Sequence, residues 1–350
     1  MADAFDETRL DDPEALASAD GALRGLAEAG ARVRREALSA ADAFGALADN
    51  APPRAVLTAG SDARLLRAVL EPWCPVPFVA WPAGGLPGWT GALDLVVVLA
   101  PDGGDEDTAA TAAEAARRGA VLVVCAPPHS PLADLVGTLG AHDAVLLPSG
   151  TGDVLAGAVV TLQALNVLGL GPVVSAEEVA DALDDVARAC SPHRDITQNP
   201  AKELSLVFAG AMPLFWGGSV LAARAARRVV EAVRSATGRA ALAADARHLL
   251  PVLDAVKVRD VFADPFADPI AEDRRAALVL LDDGSAEPAV RVARGRLLAA
   301  AGRREVRTQV LTHDVGSPMA RYAALLAEGT YAAHYFALGL GKLGRFDDGG

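Results

Sequence analysis

The chain has 350 residues, 52% of them apolar and 5% aromatic, with a formal net charge of −13. That length accommodates two domains, and the apolar fraction can bury a sizeable core made mainly of Ala, Val and Leu. The negative charge speaks against nucleic acid or an anionic membrane surface as a general partner, while Cys74, Cys125 and Cys190 have no paired spacing, so neither a disulfide framework nor a zinc motif is readable.

The segment Met1-Ala-Asp-Ala-Phe-Asp-Glu7 is acidic and lacks the apolar run of a signal peptide. No stretch of about 20 apolar residues reads as membrane-spanning. A reducing cytoplasm is the expected setting. Residues 10–48 are predicted to be helical, opened by Asp12-Pro13, with Leu16, Leu23, Leu26 and Val33 on the apolar side. Five short Val- and Leu-rich runs follow, at 54–58, 76–80, 94–100, 120–126 and 143–147. Their length and continuous apolarity predict parallel strands covered on both faces, with helices near 60–72, 105–118 and 129–140 between them. Residues 151–168 and 175–188 read as two further helices, the second opened by a capping-box-like Ser175-Ala-Glu-Glu178. The polar, Pro-bounded Ser191-Pro-His-Arg-Asp-Ile-Thr-Gln-Asn-Pro200 reads as a linker. A second alternating half has strands near 213–217, 276–281 and 305–311, helices near 219–235, 238–249, 286–301 and 317–340, and a turn-rich insertion at 264–269. The expected organisation is an N-terminal helical segment (1–50), a first α/β domain (51–165), a helical connection and linker (166–200) and a second domain (201–345). The expected fold class is α/β, each domain a parallel sheet flanked by helices.

The most informative stretch is Leu99-Ala-Pro-Asp-Gly-Gly-Asp-Glu-Asp-Thr108, a strand end, a glycine loop and a helix start. Such junctions hold phosphate groups through backbone N–H groups and hydroxyls. Here Asp102, Asp105, Glu106 and Asp107 occupy the loop instead. A carboxylate about 5 Å from a phosphate costs nearly 1 kcal/mol even at the dielectric of water, so several would overwhelm a helix N-terminus worth roughly 0.3–1 kcal/mol. The acids are also good first-turn residues in their own right. Other candidates are His193 and Arg194 in the linker, His248 beside Arg247, His313-Asp314 at a strand end, His334 between Tyr331 and Tyr335, and Gly217-Gly218-Ser219 as the second half's glycine loop. No metal-ligand spacing, nucleophile elbow or Walker loop is present, and no cofactor or metal is expected.

Taken together, Asn199-Pro-Ala-Lys202 leading into Pro213-Leu-Phe-Trp-Gly217, Leu147-Pro-Ser-Gly150 before an apolar helix, and the segment from Arg321 to Lys342 with Tyr322 and Tyr331 resemble the bifunctional phosphoglucose/phosphomannose isomerases. The resemblance implies two flavodoxin-like sugar isomerase (SIS) domains, a homodimer, and aldose–ketose interconversion of hexose 6-phosphates through an enediol, which needs a general base and a ring-opening acid. Its first Gly-Ser loop matches Thr58-Ala-Gly-Ser-Asp62, placing Gly60 and Ser61 at the ligand. Its phosphate loop matches Ala100-Pro-Asp-Gly-Gly-Asp-Glu-Asp107, keeping Gly103, with Gly104 beside it and Thr108 as a shifted hydroxyl. Ser149 stands in the Pro-x-Gly turn. The family's arginine falls near Asp153, its base near Ala236 and its acid at Ala255, so Glu231 and His248 stand as shifted base and acid, with Lys342 matching the C-terminal lysine. The resemblance therefore implies a sugar-phosphate-binding protein with lost or altered isomerase activity and a regulatory role. The alternatives are an active isomerase with relocated residues and a structural dimeric partner without ligand.

Overall fold

The computed structural model describes residues 4–47, 51–82, 84–140, 143–256 and 275–343. The chain divides into two compact units, Ala29–Asp181 and Met1–Glu28 with Ala182–Gly350. Lys257 and the insertion at 264–269 lie outside the described residues.

The N-terminal region is not one helix. It forms α1 (Pro13–Ser18), α2 (Asp20–Ala27) and α3 (Ala29–Ala40), followed by a 3-10 turn over Ala41–Leu47. Asp12 does open α1, its carboxylate accepting from the Ala15 amide with Pro13 in the first turn. The first break comes at Ala19. There the Ser18 hydroxyl donates to the Ala15 carbonyl at 2.6 Å, a side-chain bond that competes with the helix ladder.

In the unit Ala29–Asp181, β1 (Val56–Gly60), α4 (Ala63–Leu70), β2 (Phe78–Ala80), β3 (Leu95–Leu99), α5 (Glu106–Arg117), β4 (Val121–Ala126), α6 (Pro131–Gly137), β5 (Ala144–Pro148) and α7 (Val154–Val167) follow α3. The five strands are parallel in the order β2-β1-β3-β4-β5. All five predicted runs are strands. Every residue of β3 is buried, as a sheet covered on both faces requires. Leu57, Val96, Val98, Leu122 and Val124 pack with α5 and α6 on one face; α3, α4 and α7 cover the other.

Helix α8 (Ala176–Ala189) leads into the other unit, which contains α9 (Pro200–Ala209), β6 (Met212–Gly217), α10 (Val220–Thr237), β7 (Leu242–Ala243), α11 (Ala246–Asp254), β8 (Ala276–Asp282), α12 (Pro288–Arg303), β9 (Arg307–Thr312) and α13 (Pro318–Gly339). Its sheet is also parallel, in the order β7-β6-β8-β9. Leu214, Trp216, Leu278 and Leu280 pack with α11 and α12 on one face. On the other face Phe215 meets Phe208 of α9, which in turn meets Phe336 of α13, and α10 lies alongside α13. Two elements differ from expectation. Residues 238–245 hold the two-residue strand β7 before α11 rather than the start of a helix. Pro200, expected to close the linker, opens α9, because Asn199 caps it and proline at a first helical position loses no hydrogen bond.

Candidate functional site

In a parallel sheet the strand-end loops share one edge, the usual place for ligands. Gly60 pairs with Leu99, Leu99 with Cys125 and Cys125 with Leu147, so the loops after β1, β3 and β5 leave the first sheet at one level. Gly60 has φ +90°, and a Cβ there would lie 2.2 Å from the Leu99 carbonyl oxygen. Only glycine allows the β1 loop to turn this close to β3. That turn brings Ser61 to the β3 loop.

The hydroxyls on this edge are already engaged. Ser61 Oγ donates to both carboxylate oxygens of Asp102 at 3.2 Å, and the Gly104 amide donates to Asp102 at 3.3 Å. Both Gly103 and Gly104 have positive φ. Thr108 donates its amide at 2.9 Å and its hydroxyl at 2.6 Å to Asp105, the N-cap of α5. The Thr108 hydroxyl and amide hold the Asp105 carboxyl below the usual carboxylate range.

The loop after β5 is filled in the same way, by a residue the sequence reading did not single out. Glu36 of α3 is 1% exposed. Its carboxylate accepts from Ser149 Oγ at 3.2 Å, the Gly150 amide at 3.2 Å and the Thr151 amide at 2.6 Å. Successive amides with a hydroxyl form an anion-binding concavity, and Glu36 occupies it. A signal existed: the buried residues of α3 are Gly30, Val33, Glu36 and Ala40, so a lone acid sits in the helix's apolar stripe. Next to it, Asp153 caps α7 and pairs with Arg32 of α3 at 2.7 Å, so this loop carries a guanidinium supplied by a different element.

The second sheet repeats the arrangement. Ser219 caps α10 and donates to the Asp283 carboxylate in the β8 loop. Arg321 then joins that loop to the next, donating to the Asp283 carbonyl at 3.0 Å and the Gly316 carbonyl at 2.8 Å. His313 lies 2.7 Å from Glu328 of α13. His334 is tied to the Thr330 carbonyl at 2.9 Å, and burial pushes its pKa down.

Of the sequence candidates, Gly60, Ser61, Gly103, Gly104 and Thr108 come together between β1 and β3, while Ser149 stands on the same edge two strands away. Glu231, His248 and Lys342 belong to the other unit and do not share a common face there. Glu231 is on α10, paired with Arg228 at 2.7 Å. His248 is exposed on α11, across the sheet from α10. Lys342 Nζ donates to the Thr237 carbonyl at the end of α10. Among the described residues, no three His, Cys, Asp or Glu side chains converge to hold a metal, and no helix is long and apolar enough to cross a membrane.

No protein-family model and no curated protein matches the chain. Among solved structures it is similar to the C-terminal domain of glucosamine-fructose-6-phosphate aminotransferase from Francisella tularensis, with 11% identity, a TM-score of 0.63, and coverage of 90% of this chain and 95% of that one. It is also similar to tagatose-6-phosphate ketose/aldose isomerase from Escherichia coli, with 14% identity, a TM-score of 0.58, and coverage of 90% and 89%. A glucose-6-phosphate isomerase like protein from Thermus thermophilus matches with 18% identity, a TM-score of 0.51, and coverage of 87% and 91%. These likenesses establish the fold, two parallel helix-flanked sheets of the flavodoxin-like SIS kind.

Proposed function

We propose that this is a non-isomerising protein on the phosphosugar-isomerase fold, a divergent relative of the bifunctional phosphoglucose/phosphomannose isomerases that binds a hexose 6-phosphate or related carbohydrate derivative in a regulatory role. A cytoplasmic homodimer is part of this reading. One observation carries its non-isomerising part. Ser61, Thr108, Ser149 and Ser219 each donate to a carboxylate of the chain itself. A phosphate dianion at these loops would meet acids where it needs donors. Isomerisation also needs a base and an acid on one substrate. Glu231 and His248 stand on helices covering opposite faces of one sheet, which speaks against the active-isomerase reading.

The test is a phosphorus NMR time course of fructose 6-phosphate with near-stoichiometric protein. The expected result is a broadened or shifted substrate resonance with no glucose or mannose 6-phosphate formed. Product formation that is lost in Glu231→Ala would establish the isomerase instead. An unchanged spectrum would favour the ligand-free structural partner.

A further inference from the structure

A phosphate-bearing ligand needs cationic donors, and the guanidiniums named at the strand-end loops are engaged within them, Arg32 by Asp153 and Arg321 by the Asp283 and Gly316 carbonyls. The unit Met1–Glu28 with Ala182–Gly350 supplies others elsewhere. A solvent-open cavity of about 690 Å³ is lined by Ala27, Asp184, Ala187, Arg188, Ser191 and Arg194. Its volume is in the range of small-molecule sites, and its lining includes two arginines and a hydroxyl beside a single acid, Asp184.

The turn that carries Ser191 and Arg194 is held from beneath by buried side chains. Tyr335 Oη donates to the Cys190 carbonyl at 2.7 Å, and Asn199 Nδ2 to the Ser191 carbonyl at 3.0 Å. Lys202 Nζ donates to the Pro192 carbonyl at 3.0 Å and the Arg194 carbonyl at 2.8 Å, with Asp11 completing its partners at 2.7 Å. Tyr335, Asn199 and Lys202 are all 0% exposed. Burying an ammonium is costly unless it is fully partnered, and carbonyls of a surface turn can be satisfied by water at no such cost. Here the carbonyls of Cys190, Ser191, Pro192 and Arg194 are all fixed by the interior. The result is a rigid turn that displays His193 and Arg194 outward. Preorganised donors lose little entropy on binding.

We propose that Arg188, Arg194 and Ser191 form a phosphate-monoester site, the anion-recognising part of the ligand site in the reading above, on which this proposal rests. Guanidinium groups match phosphate oxygens in a two-pronged geometry. Arg188 pairs with Asp185 along α8, an exposed and therefore weak contact that an arriving dianion displaces. Lys202, Tyr335 and Asn199 act as positioning residues.

Inorganic phosphate is the probe, followed by its phosphorus line width as protein is added. Saturable binding is expected, at least about tenfold weaker in Arg188→Ala/Arg194→Ala, with an unchanged melting temperature because both side chains are exposed. Absence of saturable binding to the unaltered protein, or undiminished binding to the double variant, would overturn the site. The probe carries no sugar, so the two ideas fail separately. Turnover of fructose 6-phosphate would overturn the non-isomerising reading alone, and phosphate binding retained by the double variant would overturn the pocket alone.

Discussion

Ser61, Ser149 and Ser219 follow strands and Thr108 lies in the first turn of α5, and each gives its proton to an acid within the same unit. Glu36 is the most consequential of those acids, because it is buried and has three donors. Glu36→Ala leaves all three unsatisfied and should cost about 3 kcal/mol. Acetate or phosphate should restore part of the lost melting temperature by entering the vacated concavity, whereas chloride should not. Failure of every small anion to restore it would contradict the role assigned to Glu36. A second prediction concerns the thiols. Burial pushes Cys125 up to about 12, helped by the Glu36 charge, and burial also raises Cys190. Cys74 is only half-buried. A thiol-disulfide reagent should therefore label Cys74 in the native protein and the other two only on unfolding; rapid native labelling of all three would contradict this burial. The loop residues were legible in the sequence as a glycine junction with the wrong side chains. Glu36 was legible only as a lone acid in the apolar stripe of α3; its partners are more than a hundred positions away, and no local pattern encodes them.

Elements with strong local signals were easy to read. The runs that became β1, β3, β4 and β5 are rich in Val and Leu, continuously so in β3, because both sheet faces are covered, and α13 is long, capped and apolar. Elements defined by context were missed: β7 has two residues and exists through its pairing with β6, and α9 begins at a proline that also reads as a linker's end. Packing makes one element-level prediction. Helices α10 and α13 meet so closely that a Cβ on Gly329 would lie 2.3 Å from Val229 Cγ2. Gly329→Ala should destabilise by about 1–3 kcal/mol through overpacking, measurable by urea unfolding; a neutral effect would refute the close approach. Another concerns the start of β3. Burial raises the Asp94 carboxyl, but hydrogen bonds from Arg54 and the Gly91 amide and the guanidinium's charge outweigh it, holding the pKa below the usual range. Its stabilisation is therefore present above the unfolded value of about 3.9 and lost as pH falls through the lower folded value. Asp94→Asn should be less stable at pH 7 and lose less stability on acidification. An identical pH profile would argue against the pair.

At the scale of the whole molecule, both units end parallel strands in loops whose hydroxyls are taken up by the chain's own acids. An excess of acids that composition registers only as net charge thus has a local meaning at the loops. The donors proposed for a phosphate ligand are Arg188 on α8 and Arg194 on the turn pinned by Lys202 and Tyr335. The central claim is that no enediol forms on this chain, and deuterium exchange tests it most directly. Glucose 6-phosphate is held in heavy water with near-stoichiometric protein, and its C2 proton is followed by NMR. The account predicts that the C2 proton resonance persists unchanged. Its progressive loss above the protein-free control, abolished in Glu231→Ala or His248→Ala, would show that the base and acid function after all and would contradict the account.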